Sequence, residues 1–172
     1  MGRDKALLHY RGGVLAQAVA REVESAAGSA ALVGSPGRYN GSGFGIIPDI
    51  FPGQGPLGAI LTALQTTTAE WNLIVACDMP NASARFLRDL LDTAERWDVD
   101  ALLPAGPSRL VEPLCAVYHK RTGQALCAAF SNGIRKITLA LEGLRVAVLM
   151  VSEATPFQNV NTPEDWAQYA AS

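Results

Sequence analysis

Residues 72–80 read Asn-Leu-Ile-Val-Ala-Cys-Asp-Met-Pro (NLIVACDMP). Leu73, Ile74, Val75 and Ala76 form an apolar run without polar alternation, the pattern of a strand covered on both faces in the middle of a parallel sheet. The run ends in one carboxylate, Asp78, and Pro80 keeps the strand from continuing. In open α/β sheets ligands bind outside the carboxyl ends of the strands, so a carboxylate there is placed to hold a hard cation such as Mg²⁺. Taken alone, an Asp after a strand more often caps the next helix or closes a turn. The case for the metal depends on the rest of the chain.

Upstream of this strand, Val14, Leu15, Ala18, Val19 and Val23 recur at helical spacing between Gly13 and Gly28. Ala30 to Val33 reads as a short strand, and Phe44 to Ile47 as the next, ended by Pro48 and Asp49. Ile50 to Gly58 (IFPGQGPLG) is a loop of exposed amides, able to bind phosphate or simply to turn a corner. A helix is expected from Leu57 to Thr68. Downstream, a helix over Ser83–Trp97 is followed by a strand at Val99–Pro104. Val111–Tyr118 (VEPLCAVY) follows that strand closely enough to run antiparallel to its neighbour. Helices near 121–131 and 134–141, a strand over Arg145–Val151 and a terminal helix from Pro163, capped by Thr162, complete the pattern. Strands alternating with helices indicate a single three-layer αβα domain with a mostly parallel sheet.

At 172 residues the chain suits one sizeable core. Its 49% hydrophobic and 17% charged composition argues against disorder. Fourteen Lys and Arg against sixteen Asp and Glu leave a net charge of −2, so no global field favours nucleic acid or an anionic membrane. No apolar stretch reaches the roughly 18 residues of a membrane span. Cys77, Cys115 and Cys127 are odd in number and form no CxxC pair, so neither a disulfide framework nor a zinc site is expected. They read as buried thiols of a cytoplasmic protein.

Five stretches together resemble the molybdenum cofactor guanylyltransferase family of nucleotidyltransferases. They are MGRDKALL at the start, PDIFPGQGPLGAI from Pro48, ACDMP from Ala76, VEPLCAVY from Val111 and NVNTPED from Asn159, in the family's order. The resemblance implies the Rossmann-like nucleotide-diphospho-sugar transferase fold. It also implies transfer of GMP from GTP to the terminal phosphate of molybdenum-bound molybdopterin, with Mg²⁺ as cofactor and with molybdoenzymes or other cofactor-maturation proteins as further partners. Lys5 then corresponds to the phosphate-contacting lysine, with Arg3 a weaker candidate, and Asp78 to the metal-binding and catalytic carboxylate. Asp49 corresponds to the nucleotide-contacting aspartate; a turn after Pro48 is its other role. Gly34 stands where relatives often carry an asparagine, which leaves only a backbone contact to the nucleotide. Residues 53–58 would line the nucleotide or the pterin, and Glu112, Asn159 and Asn161 are candidates for contacts to the acceptor or to metal-bound water. The two asparagines have equally ordinary structural roles before a helix cap. His9 and His119 are isolated and read as surface or packing residues.

The chain departs from that family at its start. Relatives begin with an apolar strand and a loop of the form LAGGxSxRMG, and this sequence opens at the Met of that motif. The strand would lie centrally in the sheet, so its neighbours are expected to carry unpaired ladder groups. Met1 is therefore read as an internal Met of a longer protein, and residues 1–172 alone are expected to be poor catalysts. Two further functions stay open: a cytidylyltransferase acting on the same acceptor, and a non-catalytic module that binds or carries cofactor.

Overall fold

The computed structural model describes residues 9, 10, 13–35, 37, 39 and 41–158. Arg3, Lys5, Asn159, Asn161 and the expected helix from Pro163 lie outside the described residues. Two short strands, β1 (His9–Tyr10) and β2 (Gly13–Val14), form an antiparallel hairpin that leads into α1 (Leu15–Ala27). Gly28 closes α1 at φ 84°, a backbone region that glycine enters without the Cβ penalty. Next come β3 (Ala31–Val33), β4 (Gly45–Ile47) and α2 (Pro56–Thr66), whose first residue is a proline with its φ already set for a helix. Strand β5 (Trp71–Val75), α3 (Ala84–Trp97), β6 (Ala101–Ala105), β7 (Cys115–His119), α4 (Thr122–Ser131), α5 (Ile137–Ala140) and β8 (Val146–Met150) complete the chain order. The expected helix over 134–141 is thus a single turn.

The pairing is parallel in β3–β4 and β6–β8, and antiparallel where β7 lies between β5 and β6. The antiparallel reading of residues 111–118 holds. Its second partner, β5, needed the structure.

Alternation along the strands divides the core into two faces. Ala101 and Leu103 of β6, with Ala116 and Tyr118 of β7, meet Leu57, Ile60, Leu61 and Leu64 of α2 and Leu126 and Phe130 of α4. On the other face Leu102, Cys115 and Val117 meet Leu87, Leu90 and Ala94 of α3 and Ala26 of α1. Helices on both faces of a sheet make three layers, as expected. Burying a side chain such as Leu87 or Leu90, both 0% exposed, contributes on the order of 1.5–3 kcal/mol. No helix among the described residues is long and apolar enough to cross a membrane.

Two expectations need correction. Only Cys115 is buried, whereas Cys77 and Cys127 are half-buried. Burial pushes the Cys115 thiol up to about 12, so it acts as a small packing group and not as a nucleophile. Second, the apolar run of β5 is not enclosed, because every residue of it is half-exposed. Among the described residues no strand joins β3 to β5, and an apolar slot of about 650 Å³ lies between them.

Candidate functional site

Asp78 follows β5 directly, in a turn in which the Met79 N–H donates to the Ala76 carbonyl at 3.2 Å. The β5–β7 register pairs Val75 with Cys115, and the Ala76 N–H donates to the Leu114 carbonyl at 2.7 Å. The ladder ends there, and in the turns beyond it the Asp78 carboxylate lies close enough to Glu112 for its charge to act on that carboxyl. Glu112 is held by its own backbone, with its N–H donating to the Pro104 carbonyl at 2.9 Å and its carbonyl accepting from the Cys115 N–H at 3.0 Å. Partial burial, and then the charge of Asp78, raise its carboxyl above the ordinary range.

Asp78 does not cap the helix that follows. That end belongs to Ser83, whose Oγ accepts from the Phe86 N–H at 3.4 Å, and to Glu22 of α1, whose Oε2 accepts from the Ala84 N–H at 2.6 Å. Among the described residues the Asp78 carboxylate takes part in no hydrogen bond or ion pair.

Asp49 behaves differently. Its Oδ1 accepts from the Phe51 N–H at 2.9 Å and lies 3.1 Å from the Thr62 hydroxyl, which itself accepts from the Ile50 N–H at 3.2 Å. The turn role weighed from sequence is therefore real, and it pins the Ile50–Gly58 loop to α2. Among the described residues only Oδ1 is used, which leaves the second oxygen for another partner. Gly34 ends β3, its N–H donating to the Ile47 carbonyl at 2.9 Å. A Cβ at Gly34 would come within 2.9 Å of the Tyr39 ring, so an asparagine would displace that ring.

The loop from Ile50 has Gly53 at φ 74° and Gly55 at φ 81°, both in the left-handed region. A Cβ at Gly58 would meet Phe51 Cβ at 2.9 Å and the Phe51 carbonyl at 3.3 Å, so the loop folds closely onto α2 only because residue 58 has no side chain. Arg135 ties down the outer side. It donates to Gln54 Oε1 at 3.2 Å and to the Phe130 carbonyl at 2.7 Å, and its guanidinium lies 3.9 Å from the centroid of the Phe130 ring, which also packs on Phe51. Sequence reasoning missed Arg135, which lies far from the loop in sequence, and Thr62, whose hydroxyl sits among the apolar residues of the helix that follows the loop. It also missed Asn81, whose Nδ2 donates to Gln158 Oε1 at 3.3 Å and brings the end of the described chain to the Asp78 turn.

Asp78 and Glu112 are thus assembled, while Asp49 and Gly34 sit at the carboxyl ends of β4 and β3 with no hydrogen bond to either. His119 has a packing role: it meets Trp71 edge-on at 4.7 Å, and its Nδ1 accepts from the Arg121 N–H at 3.0 Å. Tyr118 supports the segment that carries Glu112, its buried hydroxyl donating to the Pro113 carbonyl at 2.7 Å. Tyr118→Phe leaves that carbonyl unpaired and is expected to cost about 1–3 kcal/mol, readable in chemical denaturation. An unchanged midpoint would mean that water replaces the hydroxyl.

A family model described as the MobA-like NTP transferase domain matches residues 1–145. A probable molybdenum cofactor guanylyltransferase of Deinococcus radiodurans is 30% identical over 167 residues, covering 97% of this chain and 86% of that protein. One of the same description from Clostridium perfringens is 28% identical over 173 residues, covering 95% and 86%. Among solved structures, the molybdopterin-guanine dinucleotide biosynthesis protein A of Archaeoglobus fulgidus superposes with a TM-score of 0.81 at 27% identity, over 99% of this chain and 90% of that one. With the family model spanning most of the chain, the chain belongs to the MobA-like NTP transferase domain family.

Proposed function

We propose that this chain transfers GMP from GTP to the terminal phosphate of molybdenum-bound molybdopterin, releasing pyrophosphate. The observation that carries the reading is the Asp78 carboxylate, which has no hydrogen-bonding partner among the described residues and sits just after β5 beside Glu112. Two like charges held together without a structural use favour a role toward a cationic or phosphate-rich ligand. The guanylyltransferase names of the two bacterial relatives point to the same substrates.

A phosphate oxygen of the acceptor attacks the α-phosphorus of GTP, and the bond from that phosphorus to the bridging β-phosphate oxygen breaks. Both reactants are anions, so the protein must offset charge and hold the groups in line before the bond forms. Carboxylate oxygens suit a hard cation, and because no group of three or more His, Cys, Asp and Glu is placed to hold a metal ion among the described residues, most of its ligands would have to come from substrate phosphates and water. Mg²⁺ is commonly held by one or two carboxylates together with substrate phosphates. Asp78 would hold the ion, with Glu112 beside it, and the bound ion would supply charge stabilisation to the phosphates. Lys5, outside the described residues, is the candidate for a further positive charge on the triphosphate. The open oxygen of Asp49 could accept from the N–H edge of guanine, an edge that adenine lacks. The Ile50–Gly58 loop, fixed by Thr62 and Arg135, offers backbone amides to the substrates.

Pyrophosphate release in the presence of molybdopterin, compared between GTP and CTP, tests the base. A several-fold preference for GTP is expected, and a preference for CTP would turn the assignment to a cytidylyltransferase. Binding of molybdopterin without any release of pyrophosphate would favour the carrier reading.

A further inference from the structure

A buried hydroxyl has one proton to give, and the acceptor that takes it is the group it holds in place. Thr62 lies within α2 with 0% exposure, shut off from bulk solvent. Its Oγ accepts from the Ile50 N–H at 3.2 Å, and two acceptors stand within reach of its proton, the Gly58 carbonyl at 3.0 Å and Asp49 Oδ1 at 3.1 Å. The distances are nearly equal, so the chemistry of the acceptors decides. Gly58 stands four residues before Thr62 in the same helix, where its carbonyl takes the Thr62 backbone N–H as part of the helical ladder. Asp49 offers a carboxylate, and hydrogen bonds to a charged acceptor are roughly twice as strong as neutral ones. The proton goes to Asp49.

Asp49 Oδ1 also accepts from the Phe51 N–H at 2.9 Å. That bond alone is an Asx turn, in which rotation of the carboxylate exchanges one oxygen for the other. The Thr62 hydroxyl arrives from a different element and aims a second donor at the same oxygen. A carboxylate oxygen has about two lone-pair sites, so these two donors fill Oδ1. Oδ1 is thereby kept on the loop and the helix, and Oδ2 is the oxygen left for a ligand.

We propose that Thr62 is a positioning residue for nucleotide choice, whose hydroxyl fixes the Asp49 carboxylate so that Oδ2 is the atom that meets the base. The inference rests on the guanylyl reading above, in which Asp49 faces the N–H edge of guanine. Oδ2 only accepts, so it rewards a base with donors on that edge and penalises adenine, which presents a ring-nitrogen acceptor there. The tighter the carboxylate is held, the larger that difference.

Calorimetric binding of GTP and of ATP to the full chain, with Mg²⁺ present, reads the proposal as a ratio of affinities. The shared ribose and triphosphate, and any general loss of folded protein, cancel from it. Thr62→Val keeps the shape and removes the hydroxyl, and it should lower the GTP-to-ATP ratio by at least about fivefold. Thr62→Ser restores the hydroxyl and should stay within about twofold of the native ratio. A second variant keeps the test alive if the valine chain fails to fold. Because the Phe51 N–H and the Thr62 hydroxyl both require an acceptor, Asp49→Asn should turn its amide oxygen toward them and its NH₂ toward the base, so that ATP becomes the preferred nucleotide. A preference for GTP that survives Thr62→Val, a serine variant as impaired as the valine one, or an Asp49→Asn chain that still prefers GTP would each overturn the inference and leave guanylyl transfer standing. Equal affinity of the native chain for GTP and ATP, or binding of neither, would instead remove the guanine reading and this inference with it.

Discussion

Asp78→Asn is expected to lower Mg²⁺-dependent guanylyl transfer by about 10³-fold, on the scale of losing one strong electrostatic contact to a transition state. The same substitution should leave the melting temperature unchanged or slightly raised. The physical reason lies in what the carboxylate does in the protein without substrate: among the described residues it makes no hydrogen bond, and its charge raises the Glu112 carboxyl after burial has already done so. Removing the charge relieves that repulsion, and the Glu112 pKa moves back toward its ordinary value. A raised carboxyl pKa costs stability above the unfolded-state value, so the gain should be seen at neutral pH and vanish in acid. Lost activity with unchanged or improved folding is the signature of a group kept for its ligand. Mg²⁺-supported GTP binding, measured by calorimetry, provides a readout that does not require turnover. Unchanged transfer and unchanged binding in the variant would remove Asp78 from the site, and a large fall in melting temperature would reassign it to the fold.

The sequence carried the elements better than their assembly. The apolar run ending at Asp78, the helix faces of α1 and α3 and the antiparallel step into β7 all follow from local periodicity, and each is found. The pairing of β7 with β5 is non-local and leaves no mark in either strand, so the meeting of Asp78 with Glu112 could be read only from the structure. The turn chemistry of Asp49 was one of two readings of a single residue, and Thr62 decided for it because a hydroxyl one helix away reaches the same oxygen. Arg135 was invisible for a similar reason: a surface arginine has no periodic signature, and its role comes from a ring and a loop far away in sequence. The half-exposure of β5 is the instructive case. Its composition is that of an enclosed strand, and its environment falls short because among the described residues one edge has no neighbour.

Asp100→Ala should be the most destabilising change away from the site, by about 3 kcal/mol, or about 6–12 °C in melting temperature for a chain of this size. Asp100 stands just before β6 with its side chain only 12% exposed. Its Oδ1 accepts from Arg121 Nε at 2.6 Å, and its Oδ2 accepts from the Arg145 backbone N–H at 2.8 Å, ahead of β8. Arg121 also donates to Asp98 Oδ1 at 3.0 Å and to the Val99 carbonyl at 2.9 Å. One carboxylate therefore joins the starts of two parallel strands to the segment after β7, and alanine would leave the Arg145 backbone N–H and the Arg121 Nε–H without their acceptor. The pH dependence follows from the same contacts. Burial pushes the Asp100 carboxyl up, but the Arg121 hydrogen bond, the Arg145 N–H and the charges of both arginines outweigh it and leave the pKa below its ordinary value. Asp98 is lowered as well, first by its hydrogen bond to Arg121. With the folded pKa below the unfolded one, the unfolded chain binds more protons between the two values. The stabilisation is complete above the unfolded carboxylate pKa of about 3.9 and is lost as pH falls through the folded value. Asp100→Ala should therefore be much less stable than the native chain at pH 7, with the gap narrowing as the pH is taken below about 4. Equal losses at both ends of that range would mean that Asp100 serves the fold by its shape, and not by its charge.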